Sequence, residues 1–165
     1  MTQQATITGP LKGKTAFVQG GSRGIGAAIV QRLAKEGAAV AFTYVSADDK
    51  AKALQDSIIG EGGKALAIKA DSADVQAIHD AINSAVKALG SIDILVNNAG
   101  VLAVGPLEDF SLDDFERTLN INVRSVFVAS QAAARHMGEG GRIINIGSIN
   151  AERAFAGGAV YAMSK

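Results

Sequence analysis

The feature that most constrains this chain is the alternation of short, nearly continuous apolar segments with longer segments of helical period. An apolar run without polar alternation is typical of a strand that helices cover on both faces of a parallel sheet. We therefore expect repeated βαβ units, that is, an α/β protein with a doubly wound parallel sheet. The predicted strands are Thr15–Gln19, Ala39–Tyr44, Ala65–Lys69, Ile92–Val96 and Arg142–Ile146.

Helical segments separate these strands. The segment Gly24–Glu36 has apolar residues at helical spacing, and Gly37 follows it at the position of a C-terminal cap. The segment Asp74–Leu89 also carries apolar residues along one face. Two more helices are expected after Ser46 and after Ser111, because each of these serines begins a Ser-x-x-Asp pattern that can cap exposed N–H groups.

Composition argues against several classes of function. The 16 basic residues balance the 16 acidic ones, so the net charge does not attract nucleic acid or an anionic membrane. The chain has no cysteine, and its two histidines, His79 and His136, are far apart, so we expect no metal site. The stretch Met1–Gly13 lacks the layout of a signal peptide, and no apolar run approaches the roughly 20 residues of a membrane span. We expect one cytoplasmic domain over residues 1–165.

A glycine-rich turn lies between the first predicted strand and the first predicted helix. Gly20, Gly24 and Gly26 allow the backbone to turn tightly and to approach a pyrophosphate at the positive N-terminus of the helix. The glycine pattern alone is equally typical of a flexible loop. Its position between a strand and a helix favours phosphate binding.

The spacing Gly20-x-x-x-Gly24-x-Gly26 resembles the fingerprint of the short-chain dehydrogenase/reductase family, with 3-oxoacyl-acyl-carrier-protein reductases as the nearest example. The segment Asn97–Gly100, which by itself would indicate a turn, is similar to the family's NNAG signature. That signature implies a segment that stabilises the sheet and approaches the cofactor ribose. Asp71 and Ser72 fall where the resemblance places an adenine contact.

The resemblance covers the chain from about Leu11 to Lys165. It implies a Rossmann-like sheet with strand order 3-2-1-4-5, from which the family's usual sixth and seventh strands are absent. We therefore expect the domain to be incomplete at its C-terminus, and we expect little reductase activity from these 165 residues alone. One residue departs from the family pattern: Gln19 stands where the family usually has a threonine that braces the glycine loop.

Charge at the end of the second strand bears on the choice of cofactor. A carboxylate there would bind a ribose 2′-hydroxyl and repel a 2′-phosphate. The chain has no acid between Tyr44 and Asp48, a stretch that includes Ser46, and Arg23 in the glycine turn can pair with a phosphate. By itself, an arginine in such a turn is also typical of an ordinary solvated loop residue. The pattern favours NADP(H) over NAD(H).

Tyr161 and Lys165 are four residues apart, which places a phenol and an ammonium group about one helical turn from each other. A nearby positive charge favours the phenolate, so Tyr161 is a candidate general acid and base. By itself such a pair is common on solvated helices. The family pattern adds Ser148, which lies 13 positions before Tyr161 and would bind the substrate carbonyl, although it could also cap a turn.

The resemblance implies a fourth catalytic residue, Asn122, whose distorted backbone would hold a water that relays protons to Lys165; in isolation, a mid-helix asparagine would be interpreted as a surface residue. It also implies that Lys165 binds the nicotinamide ribose. The catalytic residues expected are thus Asn122, Ser148, Tyr161 and Lys165. The cofactor-binding residues expected are Gly20, Ser22, Arg23, Gly24, Ile25, Gly26, Tyr44, Ser46, Asp71, Ser72, Asn98, Ala99, Gly100, Tyr161 and Lys165.

Together these observations predict an NADPH-dependent carbonyl reductase of the short-chain dehydrogenase/reductase type, acting on a 3-oxoacyl thioester or another ketone, or on the corresponding alcohol in the reverse direction. The resemblance implies a homo-oligomer, a tetramer or a dimer, in the complete enzyme. Because a fold does not fix a function, a nucleotide-binding regulatory protein without turnover is the alternative.

Overall fold

The computed structural model describes residues 9–165. The first eight residues of the predicted domain, and of the stretch Met1–Gly13 considered above, lie outside the described residues. Five parallel strands form one sheet in the order β3-β2-β1-β4-β5, which confirms the predicted fold class and strand order. The strands are β1 Thr15–Gln19, β2 Ala39–Tyr44, β3 Lys64–Lys69, β4 Ile94–Asn97 and β5 Arg142–Asn145.

Helices connect the strands and cover the sheet. The α-helices are α1 Gly24–Lys35, α2 Asp48–Gly60, α3 Val75–Leu89, α4 Leu112–Leu119, α5 Ser125–Ala134 and α6 Ala159–Met163. A π-helical segment, Asn120–Arg124, joins α4 to α5, and two short 3₁₀ segments lie at Leu107–Asp109 and Ile149–Ala151.

The core has two halves, one on each face of the sheet. Successive side chains of a strand point to opposite faces, so Phe17 packs with the α3 and α5 side whereas Val18 packs with the α1 and α2 side. Both side chains are fully buried. This arrangement explains why the middle of β1, Ala16 to Val18, is apolar on both faces.

Helices cover the centre of the sheet on both faces, whereas β5 is not covered by the described residues. All four residues of β5 are exposed, and Ile143 and Ile144, which point to opposite faces, are 43% and 46% exposed. The strand is at the edge of the sheet, where only β4 pairs with it in the described part of the chain.

The predicted helix caps are partly correct. Ser111 caps α4 by accepting a hydrogen bond from the N–H of Asp114, and Gly37 follows α1 with a φ of 98°. The predicted cap at Ser46 is wrong, because α2 begins at Asp48 and Ala47 occupies the cap position without a side-chain bond. Ser46 is thus one residue too far from the helix to cap it.

Candidate functional site

A cleft of about 490 Å³ opens at the carboxyl ends of the central strands. It lies where the strand order reverses between β1 and β4, which is the position at which open α/β sheets bind ligands. All of the predicted cofactor-binding residues except Tyr161 and Lys165 line it. The sequence did not indicate the remaining lining residues, which are Thr43, Val45, Ala47, Ala70, Val101, Arg117 and Ile121.

The glycine turn forms the floor of the cleft with its backbone. Gly20 and Gly24 have positive φ values of 69° and 53°, a region that favours glycine. A Cβ on Gly26 would meet the carbonyl oxygen of Gly20 and come within 2.6 Å of the Asn98 amide nitrogen. Asn98 Nδ2 donates to the carbonyl oxygens of Gln19 and Gly20, at 3.1 and 2.9 Å. The amide of Asn98 therefore holds the turn in place.

The N-terminus of α1 faces this cleft and fits a phosphate group. Arg23 occupies the cap position in an extended conformation and makes no side-chain cap bond, and the first turn of the helix carries no acid. The first N–H groups of a helix need partners, and an anion can supply them. The uncapped helix end and the close-approach glycines are thus suited to a pyrophosphate.

The wall at the end of β2 carries no carboxylate. Tyr44 and Ser46 line the cleft, whereas Asp48 does not. Hydrogen bonds from Lys69 and Tyr44 hold the pKa of the Asp48 carboxyl below its usual value, and the Lys69 ammonium lies 3.2 and 3.1 Å from its two oxygens. The hydrogen bond to Asp48 raises the pKa of Tyr44. The first acid after β2 in the sequence is therefore paired with a lysine.

The wall at the end of β3 consists of Asp71 and Ser72. Asp71 Oδ1 accepts a hydrogen bond from the N–H of Ala73, which fixes the turn before α3. Ser72 is buried, and its hydroxyl donates to Gln19 Oε1 at 3.1 Å. Ser72 therefore lines the cleft while its hydroxyl proton is directed into the protein.

Asn122 lies in the π-helical segment and is buried. A π turn distorts the helix backbone, so the distortion that the family resemblance implied at this residue is present. The side chain binds the backbone of Val101 through both of its polar atoms and donates to Ser164 Oγ at 2.8 Å. Ser164 in turn donates to the carbonyl oxygen of Tyr161 at 2.8 Å. Asn122 thus connects the cleft wall with α6.

Lys165 follows α6, and its backbone N–H donates to the carbonyl oxygen of Ala162. Its ammonium donates to the carbonyl oxygen of Ile146 at 2.7 Å. A Cβ built on Gly100, a residue that lines the cleft, would lie 3.6 Å from Lys165 Nζ and 3.5 Å from Asn122 Oδ1.

Ser148 and Tyr161 keep their hydroxyl protons free of bonds to the described residues. Ser148 is the cap of the 3₁₀ segment that follows it, and its Oγ accepts a hydrogen bond from the N–H of Asn150 at 3.1 Å. The capping role suggested as an alternative is therefore real, and it leaves the hydroxyl able to donate. Tyr161 is partly exposed.

Two other features bear on function. Within residues 9–165, no three or more His, Asp or Glu side chains converge in a way that could hold a metal ion. No helix in this part of the chain is both long and apolar enough to cross a membrane.

Comparisons with known proteins agree with this geometry. The chain is 66% identical to a short-chain dehydrogenase/reductase from Serratia marcescens of known structure, with a TM-score of 0.93 over 94% of this chain and 64% of that one. It is 57% identical to a blue fluorescent protein from a metagenomic library, solved in complex with NADPH, with a TM-score of 0.92 over the same shares.

Two relatives have names that point to different functions. The chain is 47% identical, over 95% of its length and 63% of the relative's, to the cyclic-di-GMP-binding biofilm dispersal mediator protein of Escherichia coli. It is 42% identical, over 90% of its length and 56% of the relative's, to elsinochrome reductase 1 of Elsinoe fawcettii. The chain thus spans less than two thirds of the length of the proteins it matches.

The family model described as short chain dehydrogenase matches residues 14–165. Together with the parallel sheet, the glycine turn and the cleft at its switch point, this match shows that the chain belongs to the short-chain dehydrogenase/reductase family.

Proposed function

We propose that the complete protein is an NADPH-dependent oxidoreductase that reduces a carbonyl, such as the ketone of a 3-oxoacyl thioester, or oxidises the corresponding secondary alcohol. The observation that carries the proposal is that Lys165 Nζ and Asn122 Oδ1 both lie close to Gly100, at 3.6 and 3.5 Å from a Cβ built on that glycine. Gly100 lines the cleft, so these atoms of the two candidate catalytic side chains lie beside the cleft wall.

Different residues of the cleft would bind different parts of NADPH. The glycine turn and the N-terminus of α1 would bind the pyrophosphate, and Arg23 would pair with the 2′-phosphate. The lysine-paired Asp48 leaves no free carboxylate at the end of β2 to repel that phosphate. NADPH in complex with the 57% identical relative supports this choice of cofactor.

Three side chains would carry the proton chemistry. NADPH, when bound, supplies the hydride that forms the new C–H bond. The Ser148 hydroxyl donates a hydrogen bond to the carbonyl oxygen and orients it. The Tyr161 hydroxyl gives that oxygen its proton as the electron pair of the C=O bond moves onto it, so the product is an alcohol. Lys165 places a positive charge near the phenolate that remains, and it would bind the nicotinamide ribose.

Steady-state oxidation of NADPH by the complete protein, against a panel of ketones and 3-oxoacyl thioesters, tests this proposal. Tyr161→Phe should abolish turnover while the Kd for NADPH stays within about twofold, because the phenol acts in the chemical step. Undiminished turnover in this variant would refute the role of Tyr161. Equal or better catalytic efficiency with NADH would refute the cofactor preference.

A nucleotide-binding protein without turnover is the second candidate, and the E. coli relative named for cyclic-di-GMP binding favours it. Two arginines, Arg23 and Arg117, line the cleft and could pair with the phosphates of such a ligand. Competition decides between the two candidates. We expect NADPH to bind and cyclic-di-GMP not to displace it; displacement, with no turnover of any carbonyl, would favour the regulatory function.

From the likeness to its family, we also propose that the complete protein is a cytoplasmic homo-oligomer. Light scattering coupled to size-exclusion chromatography should give the mass of a dimer or a tetramer, and the mass of a monomer would contradict this.

A further inference from the structure

Gln19 is the centre of a buried polar network at the carboxyl end of β1. Its side chain is 1% exposed. Its Oε1 accepts a hydrogen bond from Ser72 Oγ at 3.1 Å, and its Nε2 donates to Asn97 Oδ1 at 2.8 Å. Asn97 Nδ2 donates in turn to Asn145 Oδ1 at 2.8 Å and to Ser130 Oγ at 3.1 Å. One continuous chain of hydrogen bonds therefore links the turn after β3 with the end of β5.

The hydrogen bond that Ser72 donates to Gln19 joins two segments that are not neighbours in the sheet. Because the sheet order is β3-β2-β1-β4-β5, β2 separates the strand that carries Gln19 from the turn that carries Ser72. The gap beside the two residues, lined also by Phe17 and Ile78, has no room for a water molecule. Ser72 and Gln19 therefore satisfy each other directly, and loss of either partner leaves a buried polar group without a bond.

The same turn is a wall of the candidate cofactor site. Asp71 and Ser72 line the cleft after β3, whereas Gly100, near Lys165 Nζ and Asn122 Oδ1, lines it after β4, and strands β2 and β1 lie between these two strands. Threonine, the usual family residue at position 19, is shorter than glutamine and cannot span from β1 to Ser72. The connection is therefore a consequence of the glutamine in this chain.

We propose that Gln19 is a positioning residue for the adenosine end of the bound dinucleotide, acting through Ser72 to hold the Asp71–Ser72 wall in place. The inference rests on the proposed binding of NADPH. If the inference is correct, substitution of Gln19 should weaken the binding of ligands that contain adenosine but not of the nicotinamide half alone. A purely structural role of Gln19 would not distinguish the two kinds of ligand.

The test compares two ligands by fluorescence or calorimetric titration. These are NADPH and reduced nicotinamide mononucleotide, which has no adenosine. Gln19→Thr should raise the Kd for NADPH by about tenfold, within the range of couplings measured in shared hydrogen-bond networks, and change the Kd for the mononucleotide by less than about twofold. The stoichiometry of each titration gives the fraction of protein that is folded and able to bind, and each Kd is corrected for it.

Gln55→Thr is the matched control. The Gln55 side chain also makes a long-range bond, accepting from the N–H of Ala67 at 2.7 Å, but it does not line the cleft. Gln55→Thr should lower the stability of the protein but should not change the Kd for NADPH more than the Kd for the mononucleotide. Ser72→Ala removes only one bond of the network, so it tests the same connection should Gln19→Thr fail to fold, and it should weaken NADPH binding by about threefold or more.

The double variant Gln19→Thr/Ser72→Ala should bind NADPH no more weakly than Gln19→Thr, because Ser72 acts with Gln19. Additive effects of the two substitutions would overturn the inference, as would equal weakening of both ligands or an effect of Gln55→Thr as large as that of Gln19→Thr. If the unmodified protein binds no NADPH, the proposed function fails together with this inference; normal NADPH binding by the variants would overturn this inference alone.

Discussion

Asn122 and Val101 form a reciprocal pair of hydrogen bonds. The N–H of Val101 donates to Asn122 Oδ1 at 2.9 Å, and Asn122 Nδ2 donates to the carbonyl oxygen of Val101 at 3.0 Å. The amide thus pairs with the backbone as a neighbouring strand would. It fixes the segment after β4 against the π turn, and its bond to Ser164 extends this connection to α6.

Asn122→Leu should destabilise the protein, because it leaves the two polar groups of Val101 and the Ser164 hydroxyl without their buried partner. Each unsatisfied buried group costs about 1–3 kcal/mol. Because the Val101 groups are only partly buried and the Ser164 hydroxyl keeps its bond to the Tyr161 carbonyl oxygen, we expect the free energy of unfolding to fall by about 2–3 kcal/mol in total. Urea unfolding followed by circular dichroism measures this. Asn120→Leu is the control, since the side chain of Asn120 makes no hydrogen bond to the described residues; equal losses in both variants would show that the amide pairing contributes little.

The sequence predicted the role of Asn122 but not the structure around it. The spacing of the family motifs identified Asn122, but helical periodicity cannot distinguish a continuous helix from one with an inserted π residue. The burial of Asn122 also contradicts the surface position that its residue type suggests. The exchange of bonds with Val101 joins residues 21 positions apart, which no local pattern reports.

Gly26→Ala should weaken NADPH binding strongly, because the added Cβ meets the Gly20 carbonyl and the Asn98 amide, which hold the glycine turn that we propose binds the pyrophosphate. Overpacking of this kind costs about 1–3 kcal/mol of stability. Gly60→Ala is the matched control. Apart from its chain neighbours and the backbone of its own helix, no heavy atom lies within 4 Å of a Cβ at Gly60, so we expect that variant to gain up to about 1 kcal/mol and to bind normally. Tm and titration with NADPH measure both effects, and normal binding by Gly26→Ala would contradict the assignment of the turn.

The ends of β1 and β2 were predicted correctly, whereas the predicted start of β4 differs from the observed one for an identifiable reason. The apolar residues in the middle of β1 and β2 are fully buried, so the apolar pattern located both strands. The fourth strand was predicted to begin at Ile92 but begins at Ile94, because Asp93 uses its carboxylate as well as its backbone to bind Thr15. Arg117 was missed because an arginine on an exposed helix carries no signal that it faces a cleft.

Asp93 should make stability depend on pH. Partial burial by itself raises the pKa of this carboxyl, but hydrogen bonds from the Thr15 N–H, Lys14 and Ser91 outweigh it and hold the pKa below 3.8. A group with a lowered pKa stabilises the folded state above its unfolded pKa and loses that contribution as the pH falls through its folded pKa.

Asp93→Ala should therefore lower the free energy of unfolding by about 1.5–3 kcal/mol at pH 7, the range for hydrogen bonds to a charged group. The difference from the unmodified protein should shrink as the pH falls below about 4. Urea unfolding at a series of pH values measures it. Asp109→Ala, in an exposed 3₁₀ segment, is the control; a difference that grows on acidification would contradict the lowered pKa of Asp93.

Arg23→Gln should reduce the preference for NADPH. Arg23 lines the cleft, is exposed and makes no side-chain bond to the described residues, so its guanidinium is available to a 2′-phosphate. We expect the Kd for NADPH to rise by about tenfold, in line with the ~1.5–3 kcal/mol of a charged hydrogen bond, and the Kd for NADH to change by less than about twofold. The NADPH effect should diminish as salt screens the pair. Arg32→Gln removes the same charge on α1, where Arg32 pairs with Glu36 outside the cleft. Equal changes in the two arginine variants would show that overall charge, and not contact with the 2′-phosphate, governs the preference.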